Sequence, residues 1–597
     1  MTELNQRLRL RNQIVIAAFA ALTFLIGMVS PPHLMDDVDA TQGEIAKTML
    51  RTGDWVTARL DGIAYLEKAP LKYWITAALY GIFGVHDWVA RLPGAAAAIA
   101  LCLLIYSIAT WAGAERTGYY AGLVLATSIG LFLFTRIVIP DIILTLALTL
   151  TLWGFLRAIE DEAASRWWAV LMYVSLACGM LLKGLIGLAF PAGICLIYLA
   201  AAGRLLLAET WRRLWILPGL GLFLAIAAPW HILATLRNPP YFDLTLHADP
   251  NFGHKFRGFF WFYFINDQFL RFTNGRWPHD YNTVPRLWFW LYHVAWLFPW
   301  SFFLIGLRWR QFHNRDRLGR LHLLCLIWTG LIMLFFSLST TQEYYSMPIY
   351  PALALLIGSA MSLAARGLNA AARAAGAVTA LAFVACAGIL IKSWGVPTPG
   401  DISDALSSNP DVYTLALGHM LDLTLPAFAY LRLPLFLAAL AFLIGTTALW
   451  QRNLVRRYLG TAVMLAVFFQ AARLALVVFD PYLSSYPIAK ALNGLPAATL
   501  IFNGQYYAFS SIPFYTDRQP LLLNGRVNNL EYGSYAPGAP DIFIDDARFV
   551  QMWSQPGPVF VVTYDEDRKH LEALVGAARL HIVSSSGGKQ LLVNSRN

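Results

Sequence analysis

The sequence predicts a polytopic α-helical membrane protein of about thirteen spans that ends in a small soluble α/β domain. Three observations predict it. Of the 597 residues, 58% are hydrophobic and 13% charged, and the mean hydropathy is +0.53, more apolar surface than a water-soluble fold can bury. The apolar residues fall in runs of about 17 to 22, which suits helices crossing a ~30 Å hydrocarbon layer and not the short alternating segments of a barrel. After Asp480 the acidic and basic residues are nearly balanced and short β-type runs replace the long apolar ones.

Taken in order, the spans are expected at 14–30, 91–112, 118–135, 142–158, 167–182, 184–201, 215–234, 286–307, 322–338, 346–365, 374–393, 428–449 and 458–478. The first run has no convincing small-residue cleavage site behind it and is read as a retained span. Arginines precede it at Arg7, Arg9 and Arg11. They recur in alternate loops at Arg212–Arg213, Arg308 to Arg320, Arg366 with Arg373, and Arg452 to Arg457. That bias puts those loops and the N-terminus in the cytoplasm, and an odd number of spans then puts the C-terminus outside it, in a bacterial periplasm.

Two long loops remain on the outer side, at about 31–90 and 235–285. Within the first, Leu71 to Phe83 is apolar and aromatic but too short to span, so an interfacial or re-entrant helix is expected. The chain divides into a transmembrane part, 1–479, and a soluble α/β domain, 480–597, with strands expected at 499–502, 541–544 and 559–562 and a helix at 566–575.

The net charge of +10 does not argue for nucleic acid, because the excess arginine lies in loops that set orientation. Cys102, Cys178, Cys195, Cys325 and Cys386 each sit inside an apolar run, have no metal-ligand spacing and read as small packing residues. Large loops on a rigid scaffold tend to carry function, so the outer face is where chemistry is sought.

Asp36, Asp37 and Asp39 follow the first span by a few residues. A carboxylate held at a membrane boundary can act as a general base toward a hydroxyl. The alternatives are a solvated turn capping the helix at 42–50, or the acidic pair with which nucleotide-sugar enzymes hold a metal. In Tyr65-Leu66-Glu67-Lys68-Ala69-Pro70-Leu71-Lys72, two cations stand beside an aromatic surface helix. A lysine there either grips a lipid phosphate as a leaving group or snorkels to the headgroups. Asp141 and Lys183 are ionisable groups at outer helix ends, a functional hypothesis by default in a membrane protein. Asp267 and Arg271 share a helix face at i and i+4, and Gln342 to Pro348 places Tyr345 at the outer end of a span, in an aromatic belt or a site.

Several of these pieces resemble, in order, the membrane glycosyltransferases that take sugars from polyprenyl phosphates: the aminoarabinose transferase family of lipid A modification and, more distantly, the protein O-mannosyltransferases, both of GT-C type. The matching segments are the first-loop acidic motif with Gly43 to Trp55, Tyr65-Leu66-Glu67-Lys68-Ala69-Pro70 with Tyr73-Trp74, and Ala90-Arg91-Leu92-Pro93. Asp141, Leu182-Lys183-Gly184, Leu270-Arg271-Phe272, Phe298-Pro299-Trp300-Ser301 and Tyr345-Ser346-Met347-Pro348 follow.

The resemblance implies a catalytic first-loop aspartate, Asp37 with Asp39 second, and Asp141 as a further essential acid. It implies that Lys68, Lys183, Arg271 and Tyr345 hold the donor phosphate. The family's glutamate before the lysine, matched by Glu67, can bind a divalent metal with histidines of the second loop. Gln268 stands where a histidine is often found, which leaves His254 and His279 as partners; no other cofactor is implied. The expected activity is transfer of a sugar from undecaprenyl phosphate to a lipid A-like or other envelope lipid or glycan, among membrane lipids at the periplasmic face of the bacterial inner membrane, with no nucleic-acid partner. The other class kept open is a lipid or sugar transporter, which would carry charged sites near mid-span and repeated halves.

Overall fold

The computed structural model describes residues 3–161, 165–246, 255–273, 275–278, 284–339, 341–363, 367–407 and 421–595. Every apolar run finds a helix. Among the described residues, eight helices are long and apolar enough to cross a membrane: Gln6–Met28, Asp87–Trp111, Asp141–Glu160, Ile216–Arg237, Arg317–Leu338, Leu368–Ser393, Arg432–Leu449 and Leu454–Leu483. Two further spans are broken. Glu115–Ala126 and Ile129–Arg136 meet at 49°, and Arg286–Trp296 and Trp300–Gly306 at 95°, which brings the long spans to as many as ten. Arg166–Lys183, Leu185–Ala201 and Met347–Ser362 occupy the three remaining runs. The protein is a multi-pass membrane protein.

The breaks have local causes. Pro299 between the second pair has no N–H to continue a helix, and Ser128 between the first takes an extended conformation before the chain re-enters helix. Gly184 (φ +66°) turns Arg166–Lys183 back into Leu185–Ala201, a conformation that glycine adopts without steric cost. A side chain on Gly187 would come within 2.1 Å of the Gly179 carbonyl, so the two helices touch backbone to backbone and Lys183 stands at the apex of their hairpin.

The first loop folds as helix Val38–Thr52, a hairpin of β1 (Arg59–Leu60) and β2 (Ile63–Ala64), and the expected short helix Leu71–Phe83. That last helix buries Lys72, Tyr73, Thr76, Ala77 and Tyr80 and leaves Ile82 72% exposed at its end, as a helix lying in an interface should.

The C-terminal domain is a six-stranded sheet of β3 (Thr499–Asn503), β4 (Pro520–Leu523), β5 (Phe543–Ile544), β6 (Val559–Tyr564), β7 (His581–Ser586) and β8 (Lys589–Val593), ordered β5-β4-β3-β6-β8-β7. The first four are parallel and β8 and β7 close one edge antiparallel. Side chains alternate between the faces of a strand. Ile501, Leu523, Val561 and Leu592 point to helices Asp546–Trp553 and Arg568–Val575, where they pack on Phe549, Trp553 and Leu571. Leu500, Phe502, Leu522, Phe560, Val562 and Leu591 point the other way, onto Ile45, Met49, Leu60, Ile63, Tyr65 and Tyr73 of the first loop. The soluble domain and the first loop share one core.

Asp61 lies at the turn of the β1–β2 hairpin with φ 50°, 7% exposed. Burial, with the nearby Glu44 carboxylate, pushes its acid up to about 7. An ordinary aspartate ionises near 3.9, so the folded chain holds a proton there that the unfolded chain releases, and stability falls as pH rises through that window. Asp61→Asn, which tolerates the same backbone, should flatten the dependence of melting temperature on pH between about 4 and 7 relative to wild type. Identical slopes for the two proteins would contradict this assignment.

Candidate active site

The three aspartates of the acidic turn point three ways. Asp36 faces the C-terminal domain: its Oδ1 accepts the Ser511 N–H at 2.8 Å, and its Oδ2 accepts Ser485 Oγ at 2.7 Å and Lys589 Nζ at 2.6 Å. Asp39 faces inward and is 1% exposed. Its Oδ1 accepts the Val138 N–H at 2.8 Å and its Oδ2 lies 3.8 Å from Arg91. Between them Asp37 lines a cavity of about 130 Å³.

Asp37 has φ 70° and ψ −112°, a conformation costly for any residue but glycine. It is held there by its own N–H, which donates to the Tyr507 carbonyl and to Ser510 Oγ, each at 2.9 Å. Although Asp37 occupies the N-cap position of helix Val38–Thr52, its side chain makes no capping hydrogen bond. The twist that spends Asp36 on the domain and Asp39 on the interior leaves the Asp37 carboxylate at the cavity wall.

Asp37, Glu67, Lys68, Asp141, Lys183, Arg271 and Tyr345, widely separated in sequence, all line this one cavity. Asp39, the second candidate of the acidic turn, does not: the helical register starting at Val38 carries it beneath the cavity floor. Lys183 donates to Asp141 Oδ1 at 2.5 Å and sits 4.6 Å from the Tyr345 ring centroid, so cation, carboxylate and phenol form one group at the helix-hairpin apex. Arg271 donates to Asp267 Oδ1 at 2.9 Å, and the Arg276 guanidinium forms an ion pair with the same oxygen at 3.1 Å.

Glu67 is the hub of the cations. One oxygen pairs with Lys68 and lies 3.4 Å from Arg276; the other accepts Tyr65 OH at 3.1 Å and the Asn529 amide. Burial alone would raise its acid, but Lys68, Arg276 and Arg271 outweigh burial and hold it well below the usual carboxylate range. Both oxygens are thus engaged by cations and donors, which does not suit a divalent metal. Among the described residues no group of three histidine, cysteine, aspartate or glutamate side chains is placed to hold one. His254 and His279 lie outside the described residues.

Sequence reasoning missed the residues that close the cavity from above. Tyr507, Asn528 and Asn529, all from the C-terminal domain, line it, as does Arg276; Gln342, Glu343 and Tyr344, from the segment already singled out in the sequence, line it as well. Arg276 and Glu343 were legible as charges near Arg271 and Tyr345. Nothing local marks Tyr507 or Asn529, whose role follows from how the domain docks.

The architecture is that of the GT-C-type membrane glycosyltransferases, as the first-loop motifs implied. The particular relatives agree. A family model described as dolichyl-phosphate-mannose-protein mannosyltransferase matches residues 67–232. The undecaprenyl phosphate-alpha-4-amino-4-deoxy-L-arabinose arabinosyl transferase of Erwinia tasmaniensis is 25% identical over 583 residues, covering 94% of this chain and 95% of that protein. Its counterpart in Aeromonas hydrophila is 28% identical over 325 residues, covering 53% of this chain and 54% of that one. Among solved structures, ArnT from Cupriavidus metallidurans bound to undecaprenyl phosphate superposes with a TM-score of 0.77 at 21% identity, over 98% of each chain.

The Asp36–Lys589 pair is buried on both sides, with 10% and 2% of the side chains exposed. Lys589→Met should therefore lower stability by about 3 kcal/mol through an uncompensated carboxylate, and adding Asp36→Asn should recover part of that loss. Thermal unfolding of the two variants and wild type in detergent measures it; a single variant as stable as wild type would remove the pair from the docking interface.

Proposed function

We propose that this chain transfers a sugar, of the 4-amino-4-deoxy-L-arabinose type, from undecaprenyl phosphate to a lipid A-like acceptor at the periplasmic face of the bacterial inner membrane. The observation that carries the reading is the convergence of Asp37, Asp141, Lys68, Lys183, Arg271 and Tyr345 on one cavity at the membrane boundary. The names of the relatives supply the donor lipid and the sugar.

In this reading an acceptor oxygen attacks the anomeric carbon, the bond from that carbon to the phosphate oxygen breaks, and undecaprenyl phosphate leaves with the electron pair. Asp37 takes the proton of an acceptor hydroxyl, or orients an acceptor phosphate that has none to give. Lys68, Lys183 and Arg271 neutralise the departing phosphate, and the Tyr345 hydroxyl donates to it. Asp141 holds Lys183 in place. The cytoplasmic N-terminus, the periplasmic C-terminal domain and the division at about residue 480 belong to this proposal, since donor, acceptor and cavity must share a face. A transporter would need its charged groups near mid-span, whereas the cavity is built from helix ends, loops and the C-terminal domain.

Asp37→Asn should lower kcat by about 10² to 10⁴-fold and leave undecaprenyl phosphate binding intact. Lys68→Met should weaken both donor binding and turnover. Transfer assayed with purified protein, lipid-linked donor and lipid A tests this; full activity of Asp37→Asn would move the base elsewhere.

A further inference from the structure

Gln42 lines the cavity and Lys72 lies directly behind it, and neither has a part in the proposed chemistry. Lys72 is 4% exposed, on the buried side of helix Leu71–Phe83. Its ammonium donates to the Val138 carbonyl at 2.6 Å and to Gln42 Oε1 at 3.0 Å. The Val138 N–H goes to Asp39 Oδ1 at 2.8 Å, so Lys72 and Asp39 grip one residue from both sides, a few positions before Asp141. Burial pushes the Lys72 ammonium down to about 7, while the Asp39 carboxylate holds it up.

An ammonium donates and cannot accept. The end of the Gln42 amide that meets Lys72 is therefore its oxygen, which turns the nitrogen to the other side, toward the Tyr73 hydroxyl and the cavity. That nitrogen carries two N–H groups, and Tyr73 can take one. Thr41, one turn on from Asp37, lines the same cavity; it is 2% exposed, and its hydroxyl has no hydrogen-bond partner among the described residues. Both side chains are neutral, and both stand on the helix that Asp37 opens. A phosphate calls for cations, which come from Lys68, Lys183 and Arg271 on other elements. A sugar hydroxyl beside the reacting carbon calls for neutral donors and acceptors, and a buried polar group left unpaired is costly.

We propose that Gln42 binds the sugar, donating an amide N–H to a hydroxyl oxygen of the lipid-linked sugar, and that Lys72 is the positioning residue that keeps this N–H facing the cavity. The Thr41 hydroxyl completes the same wall. The proposal rests on the transferase reading and deepens it: cations hold the phosphate of the donor, and the helix that carries Asp37 holds its sugar.

The test compares two affinities of the purified full chain in detergent, at about pH 6, where Lys72 is charged. One ligand is undecaprenyl phosphate carrying 4-amino-4-deoxy-L-arabinose, and the other is undecaprenyl phosphate alone. In Gln42→Met, which keeps the volume of the side chain, the affinity for the first relative to the second should fall about tenfold. Lys72→Met should lower the same ratio, and the double variant should lower it no further than Gln42→Met does, because Lys72 acts through Gln42. An unchanged ratio in Gln42→Met, or an equal loss of affinity for both lipids, overturns the sugar contact, and this variant decides that point whether or not Lys72→Met folds. Losses that add in the double variant overturn the role of Lys72. Sugar transfer by wild type with an unchanged ratio in Gln42→Met overturns this proposal alone; a wild type that binds neither lipid overturns the transferase reading and this proposal with it.

Discussion

Everything at the candidate site depends on the acidic turn, where three carboxylates within four residues leave the end of the first span at the edge of a low-dielectric layer. Charges so close and so poorly solvated are tolerated only when each finds its own partner. Asp36 takes Lys589, Asp39 takes Arg91 and a backbone N–H, and the positive φ of Asp37 separates the two directions. The strained residue is the one of the three that lines the cavity, and its strain is held by the Tyr507 carbonyl and the Ser510 hydroxyl of the C-terminal domain. Docking of that domain and the geometry of the acid are therefore one event.

The same rule orders the cavity. Asp37, Glu67, Asp141 and Glu343 line it with Lys68, Lys183, Arg271 and Arg276, four charges of each sign. The charges that line the cavity balance, and Asp267 beside them also pairs with Arg271 and Arg276. In the proposed reaction a phosphate arriving there would meet cations already fixed by carboxylates, the preorganisation that stabilises a developing negative charge. Glu67, far below the ordinary carboxylate range, stays ionised and goes on holding Lys68 and Arg276 at any pH where the protein works.

How much of this was legible in the sequence follows from how local each feature is. The spans were readable because twenty apolar residues in a row have one stable solution in lipid, and the helix Leu71–Phe83 because an aromatic run too short to span has few other places to lie. Asp37, Lys68, Asp141, Lys183, Arg271 and Tyr345 were readable as charged or phenolic groups at helix ends on one face. Asp39 was not separable from Asp37, since the difference between them is a single backbone torsion. The apolar strand β4, Pro520–Leu523, and the serine-rich β7, His581–Ser586, gave too little pattern to be found. Tyr507 and Asn529 reach the site, and Lys589 reaches Asp36, only because one face of the sheet packs on the first loop, a long-range pairing that no local window encodes.

The central claim is that this cavity is where a lipid-linked sugar's phosphate sits. A structure of the full chain with undecaprenyl phosphate bound tests it most directly. The account predicts non-bridging phosphate oxygens within about 3 Å of Lys68, Lys183 or Arg271, with the Asp37 carboxylate facing the position of the leaving sugar. A phosphate found away from these groups, with the cavity unchanged, would contradict it.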